Sequence, residues 1–190
     1  TYWQVTTLPA GHKLGFEPIG PSASVTFRGV LDGNGYAITN LAIDRPETLN
    51  YVGLFGYAKN SGTAIRDLTL SGSVVGKNSV GLLCGFLIYQ ALCSNVVVHA
   101  DVRGESTVAA LIGNADGALV FGCRIYGRAA GTARVGGANG YTHQNSRFED
   151  NISEATVVRL ASSTETSFGS FVGYSRNSKC RRNYALGPVH

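Results

Sequence analysis

The residues best suited to chemistry fall in a short stretch near position 150. Glu149, Asp150 and Glu154 form the one cluster among 12 acidic residues, with His143 and Arg147 just ahead of them. Cleavage of a glycosidic bond needs one group that gives a proton and another that takes one, which paired carboxylates and a histidine supply. Acidic side chains gathered in this way also make ordinary solvated loops. Glu149, Asp150 and His143 therefore stand as a weak catalytic alternative, and no residue is assigned a catalytic role.

The cations suggest binding instead. Of 16 basic residues most are Arg, with Arg124, Arg128 and Arg134 in one stretch and Arg176, Lys179, Arg181 and Arg182 in another. Tyr126, Tyr141, Tyr174 and Tyr184 fall in the same half of the chain. A guanidinium fork matches carboxylate or sulfate groups, and a tyrosine ring offers a flat face. Arg124, Tyr126, Arg128, Arg134, Tyr174, Arg176, Arg181 and Arg182 are the binding candidates, for a glycan or a neighbouring protein, if the fold brings them into one strip. The competing reading is ordinary surface charge. A net charge of +4 with no nucleic-acid motif gives no ground for a specific nucleic-acid partner.

The elements that would position these residues come from a repeat. Apolar runs closing in glycine recur as Val52-Gly-Leu-Phe-Gly56, Gly81-Leu-Leu-Cys-Gly85, Ala109-Ala-Leu-Ile-Gly113, Gly136-Gly-Ala-Asn-Gly140 and Gly169-Ser-Phe-Val-Gly173, the closing glycines 29, 28, 27 and 33 residues apart. A second apolar stretch follows each run and sets three further columns. These are Ile65, Cys93, Val120, Phe148 and Cys180; Leu68, Val96, Cys123, Asn151 and Asn183; and Leu70, Val98, Ile125, Ser153 and Ala185, all stepping by 28, 27, 28 and 32. The units alternate with period two and break at glycine, which marks strands and turns. A unit of about 28 residues is too short for a propeller blade and cannot bury its own apolar face, so units must stack. The spacing predicts an all-β, parallel β-solenoid of about six coils, with Val25–Asp44 as a divergent first coil turning at Asp32-Gly-Asn-Gly35. Residues 1–24 are expected to form an irregular capping segment and 25–190 the stacked coils of a single domain.

The runs Val52-Gly-Leu-Phe-Gly-Tyr, Val80-Gly-Leu-Leu-Cys-Gly-Phe and Phe168-Gly-Ser-Phe-Val-Gly-Tyr, with Phe27-Arg-Gly-Val-Leu-Asp-Gly-Asn-Gly-Tyr and Ile38-Thr-Asn-Leu upstream, resemble the GLUG-motif family of repeats. The resemblance covers about residues 16 to 187. It implies a right-handed parallel β-helix of bacterial surface and secreted proteins, adhesin-like chains among them. The matching positions are turn glycines and core apolars, so it speaks to fold and not to chemistry. The fourth unit departs from the pattern, with Ala138-Asn139-Gly140 in place of large apolars and Asn151 and Ser153 in core columns. Either that coil is irregular, or Asn151 begins an inward structural asparagine ladder with Asn183.

The columns place all four cysteines in the core. Two readings stand: free buried thiols, or a Cys84–Cys93 bridge within one coil, which would suit an extracellular address. No metal site is expected, because no CxxC pair occurs and His12, His99, His143 and His190 do not converge with cysteine. Asp32-Gly-Asn-Gly-Tyr36 lacks the later glutamate of a calcium loop, and no cofactor is expected.

Composition agrees with this architecture. The chain has 190 residues, of which 44% are hydrophobic and 15% charged, and it contains 25 glycines, 5 prolines and no methionine. An average domain is roughly 25% charged and about 7% glycine, so a disordered tail and a coiled coil are both excluded. No apolar run reaches membrane-span length and no signal peptide is expected to remain; the missing methionine suggests a processed or excised chain from which targeting information has been removed. The expected function is a non-enzymatic extracellular structural or adhesive module, which binds a glycan or partner protein or self-assembles through its coil ends. The alternative is a polysaccharide lyase or glycoside hydrolase of the β-helix type.

Overall fold

A computed structural model describes residues 15–45, 50–160 and 167–190. Residues 1–14 of the expected cap, His12 among them, lie outside the described residues. Among those described there is no helix, and the named strands form three sheets of 11, 5 and 5 strands. One turn of the chain visits each sheet once. Asn78–Gly81 lies in the third sheet, Cys84–Ile88 in the second and Leu92–Arg103 in the first, after which Ser106–Ala109 rejoins the third sheet one level on. All neighbours within the sheets run parallel, as in Cys84–Ile88 against Ile112–Asp116. The fold is therefore a parallel β-solenoid.

The stack has about five turns rather than six. The second and third sheets carry five strands each. The divergent first segment adds a full level only to the first sheet, where Val30–Asp32 and Ala37–Asp44 both pair with Ala64–Val75. Toward the second sheet it makes single bridges, Ile19 to Phe55 and Phe27 to Ala58. Its Asp32–Gly35 turn is a bend between two strands that run the same way. Asn34 N donates to Asp32 Oδ1 at 2.9 Å, and Asn34 and Gly35 take φ of 47° and 77°.

The sequence columns are the ladders of the structure. Ile65, Cys93, Val120, Phe148 and Cys180 are successive partners, as are Leu70, Val98, Ile125, Ser153 and Ala185. In the second sheet Phe55, Cys84, Ile112, Asn139 and Val172 stack in the same way. Most of these side chains are fully buried in one continuous apolar cluster. Each Val, Leu or Ile so buried stabilises the stack by about 1.5–3 kcal/mol. The fourth unit keeps the register of its neighbours. Buried Asn139 donates through Nδ2 to Ile112 O at 2.9 Å, and Phe171 packs edge-on to Phe148.

The closing glycine of each run has a steric cause. A Cβ at Gly113 would sit 2.4 Å from Val80 N, and one at Gly140 would sit 2.6 Å from Thr107 C. The second sheet thus meets the backbone of the third at a distance that admits no side chain.

Candidate functional site

The binding candidates do not form one strip. Arg124, Tyr126 and Arg128 lie on the strand Arg124–Gly131 of the first sheet. There Tyr126 stacks on His99 with centroids 5.0 Å apart, and Arg128 Nη1 lies 3.7 Å from Asp101 Oδ1. Arg134 sits on the third sheet, and its guanidinium covers the rings of Tyr141 and Tyr174 at 5.3 and 5.9 Å. Arg176 lines a small cleft of about 310 Å³ with His143, Gln144 and Asn177. Arg181 and Arg182 fall at the bend within the first sheet, beside Glu149 and Asp150. The reason for the dispersal is that a coil of 28 residues wraps three sheets, so residues a few positions apart can face different ways.

Glu149 and Asp150 are held as anions. Arg147 reaches Glu149 Oε1 at 2.8 Å, while Arg182 forks onto Asp150 at 2.6 and 2.8 Å. The hydrogen bond from Arg147 holds the Glu149 carboxyl below its ordinary value, and the one from Arg182 does the same for Asp150. A general acid needs the opposite shift, toward the working pH. His143 has a different carboxylate neighbour, with its Nε2 3.7 Å from Asp116 Oδ2 and its ring stacked on Tyr141 at 4.8 Å.

The cysteines are free. Cys84 and Cys93 do not form the bridge that the sequence left open; Cys93 Sγ instead faces Cys123 Sγ of the next coil at 3.7 Å. Burial pushes the Cys84 thiol up to about 12, and the contact with Cys123 together with burial raises Cys93 well above its ordinary value. Thiols so protonated are poor nucleophiles. Cys180, expected in the core, is exposed, because no further coil covers it among the described residues.

Asn151 is fully buried, with Oδ1 accepting from Cys123 N at 2.8 Å and Nδ2 donating to Val120 O at 3.1 Å and Asn183 Oδ1 at 2.9 Å. Asn183 Nδ2 donates to Phe148 O at 2.7 Å. Each asparagine thus satisfies backbone groups of the level before it, at a bend where the strand ladder is interrupted.

A different group of residues, absent from the sequence candidates, gathers at the corner where the second sheet passes into the first. The chain turns there through left-handed residues, Asn60, Tyr89, Gln90, Gly117, Gln144, Asn145 and Asn177, with φ between 51° and 87°. That region suits Gly and Asn, and a few such residues reverse the chain sharply. The corners hold one another through backbone hydrogen bonds, Tyr89 N to Asp116 O and Gln90 N to Gly117 O, both at 2.9 Å, and Asn145 N to Asn177 O at 2.7 Å. Four successive levels thereby line an open cleft of about 870 Å³ with the side chains of Asn60, Tyr89, Gln90, Asp116, Gln144 and Asn145, among others. Asp116 is only 6% exposed, and its Oδ1 accepts no hydrogen bond. Burial raises its carboxyl, an effect the nearby His143 opposes. Tyr89 is 52% exposed, with Lys59 Nζ 5.2 Å from the centre of its ring. The arrangement offers carboxamide donors and acceptors, one carboxylate and one aromatic face.

Among the described residues no three His, Cys, Asp or Glu side chains converge as a metal site, and no helix is long and apolar enough to cross a membrane. No protein-family model and no solved structure matches the chain. Over 107 residues, 56% of its length, it is 37% identical to Halomucin of Haloquadratum walsbyi, and the match covers 1% of that protein. Over 73 residues, 38% of its length, it is 41% identical to a protein of Evansella cellulosilytica named as a Gly-rich membrane protein, of which it covers 8%. The chain spans a small part of either relative.

Proposed function

We propose that the chain is a structural module of a cell-surface protein, a stacked-coil element that holds its outer faces rigid for contact with a glycan or a neighbouring protein. The observation that carries this reading is the similarity to Halomucin over more than half of the chain. The Gly-rich membrane protein supports the same surface address. The architecture fits the role, because a solenoid fixes side chains by repeated backbone pairing and gives a stiff surface at little conformational cost on contact. Membership of the GLUG-motif repeats belongs to the same proposal and rests on the glycine-closed runs and on the stretches from Phe27 to Tyr36 and Ile38 to Leu41 upstream of them.

Limited proteolysis of intact cells of the source organism, with release followed by mass spectrometry, tests the surface address. Peptides of this chain should leave the cells before any cytoplasmic marker does. Release only on lysis overturns the reading.

A further inference from the structure

We propose that the corner cleft between the second and first sheets is a subsite for a neutral, hydroxyl-rich oligosaccharide, with Asp116 and the carboxamides of Asn60, Gln90, Gln144 and Asn145 as its hydrogen-bonding wall and Tyr89 as its stacking face. The inference rests on the surface-module reading and gives that module a place of contact.

Three observations carry it. The first is size and direction. At about 870 Å³ the cleft falls in the range of small-ligand sites. It runs along the stack across four levels, three steps of about 4.8 Å, so it is some 14 Å long. The smaller cleft at His143 and Arg176 shares Gln144 with it but is a separate opening.

The second is the unpaired acceptor. Asp116 lines the cleft, yet its buried Oδ1 accepts no hydrogen bond. A buried acceptor left without a donor costs about 1–3 kcal/mol, and a rotation of the carboxylate that turns this covered oxygen to the cleft wall lets a sugar hydroxyl supply that donor. Carboxamides on both sides of Asp116 can donate to and accept from the neighbouring hydroxyls.

The third is charge. Arg147, the guanidinium nearest the cleft, is committed to Glu149 at 2.8 Å and lies over the Phe121 ring. Lys59 is engaged over Tyr89. Within these four levels no uncommitted guanidinium therefore answers the carboxylate of a uronic acid or a sulfate, and the Asp116 carboxylate repels both; Arg176 stands outside them, in the adjoining smaller cleft. This selects a neutral ligand, whereas the arginines of the first sheet suggested an acidic one.

The test is calorimetric titration of the full chain with cellohexaose, maltohexaose, mannohexaose and chitohexaose, with polygalacturonate and dextran sulfate as acidic comparators. At least one neutral hexasaccharide should bind. Tyr89→Ala and Gln144→Ala, both surface changes that keep the thermal midpoint within a few degrees, should each weaken that binding at least fivefold, while Arg128→Ala leaves it unchanged. Asp116→Ala should abolish it, and circular dichroism shows whether the fold survives that change. Failure of every neutral probe to bind overturns the proposal, as does neutral binding that neither surface variant alters. Binding of the acidic polymers alone, lost in Arg128→Ala, moves the contact to the first sheet. The surface-module reading is decided separately by proteolysis of intact cells.

Discussion

Along one inner column of the first sheet the chemistry changes halfway. Leu68, Val96 and Cys123 occupy it in the early coils and are buried among apolar neighbours. Asn151 and Asn183 occupy it in the later ones, bonded to Cys123 N, Val120 O and Phe148 O. The backbone at the bend is the same in both halves, with Asp67, Asn95, Gly122, Asp150 and Arg182 all left-handed just before the column. The same bend is therefore held in two ways: apolar burial does not specify which atoms must touch, whereas an asparagine accepts only particular backbone partners. Loss of volume should hurt the first half, and loss of hydrogen-bonding groups the second.

Substitution sharpens this contrast with the largest expected effects. Leu68→Ala removes a buried side chain and should lower unfolding free energy by about 2–5 kcal/mol. Asn151→Ala leaves Cys123 N unpaired, at about 1–3 kcal/mol for a buried group. The deciding pair is Leu68→Ile and Asn151→Leu, read from urea midpoints. Conserving volume should limit the first to less than about 1.5 kcal/mol, while Asn151→Leu stays as damaging as Asn151→Ala. An Asn151→Leu chain as stable as the parent would show that this position is held by packing alone.

The column was legible because the closing glycines and the three apolar columns are all forced by one coil length. A residue pointing inward must match those above and below it, and alternation reports which residues point inward. Coil number was less legible, since the first segment has the alternation of a coil but only bridges toward the second sheet. The strip of arginines failed because alternation separates inside from outside without saying which of three outer faces a side chain occupies. The Cys93–Cys123 approach joins two neighbouring columns, and the sequence reading had compared cysteines within one coil. The corner cleft left almost no signal. Its contributors, Asn60, Tyr89, Gln90, Asp116 and Gln144, are of four residue types with no common pattern, and what places them together is the left-handed corner. The recurrence of Asn, Gln or Gly about four residues after each closing glycine was the one trace available.

A second contrast lies between the thiols inside the stack and Cys180 at its last level. Unfolding exposes Cys84, whose folded value of about 12 then returns to its ordinary one near 9. A folded value that is raised means stability is fully present below pH 9 and is lost as pH climbs toward 12. The loss is about 1.4 kcal/mol per pH unit for one fully buried thiol. Urea midpoints of the parent and Cys84→Val at pH 9 to 11 isolate that term, because the tyrosines and lysines are common to both. The parent should lose stability more steeply, and parallel slopes would contradict burial of the thiol. With a disulfide reagent at neutral pH, Cys180 should react in the folded chain, and Cys84, Cys93 and Cys123 only after denaturation.

The smallest effect belongs to the charges that tie the last level to the one before it. Arg182 grips Asp150 and lies 3.6 Å from Glu149, in a region where Cys180, Tyr184 and Leu186 are exposed. Ion pairs at a surface contribute little and are screened by salt. Because Glu149 and Asp150 titrate below their ordinary values when folded, their contribution is present above the usual carboxylate range and disappears as pH falls through the depressed values. The Asp150 amide, which donates to Arg181 O at 3.2 Å, reports this directly. Its hydrogen exchange should quicken in Arg182→Ala at low ionic strength, and the difference should close in about 1 M salt, where the screening length is about 3 Å. An Arg182→Ala effect that persists in salt would mean that the guanidinium acts through packing. The later coils would then be held, like the earlier ones, by contact rather than by charge.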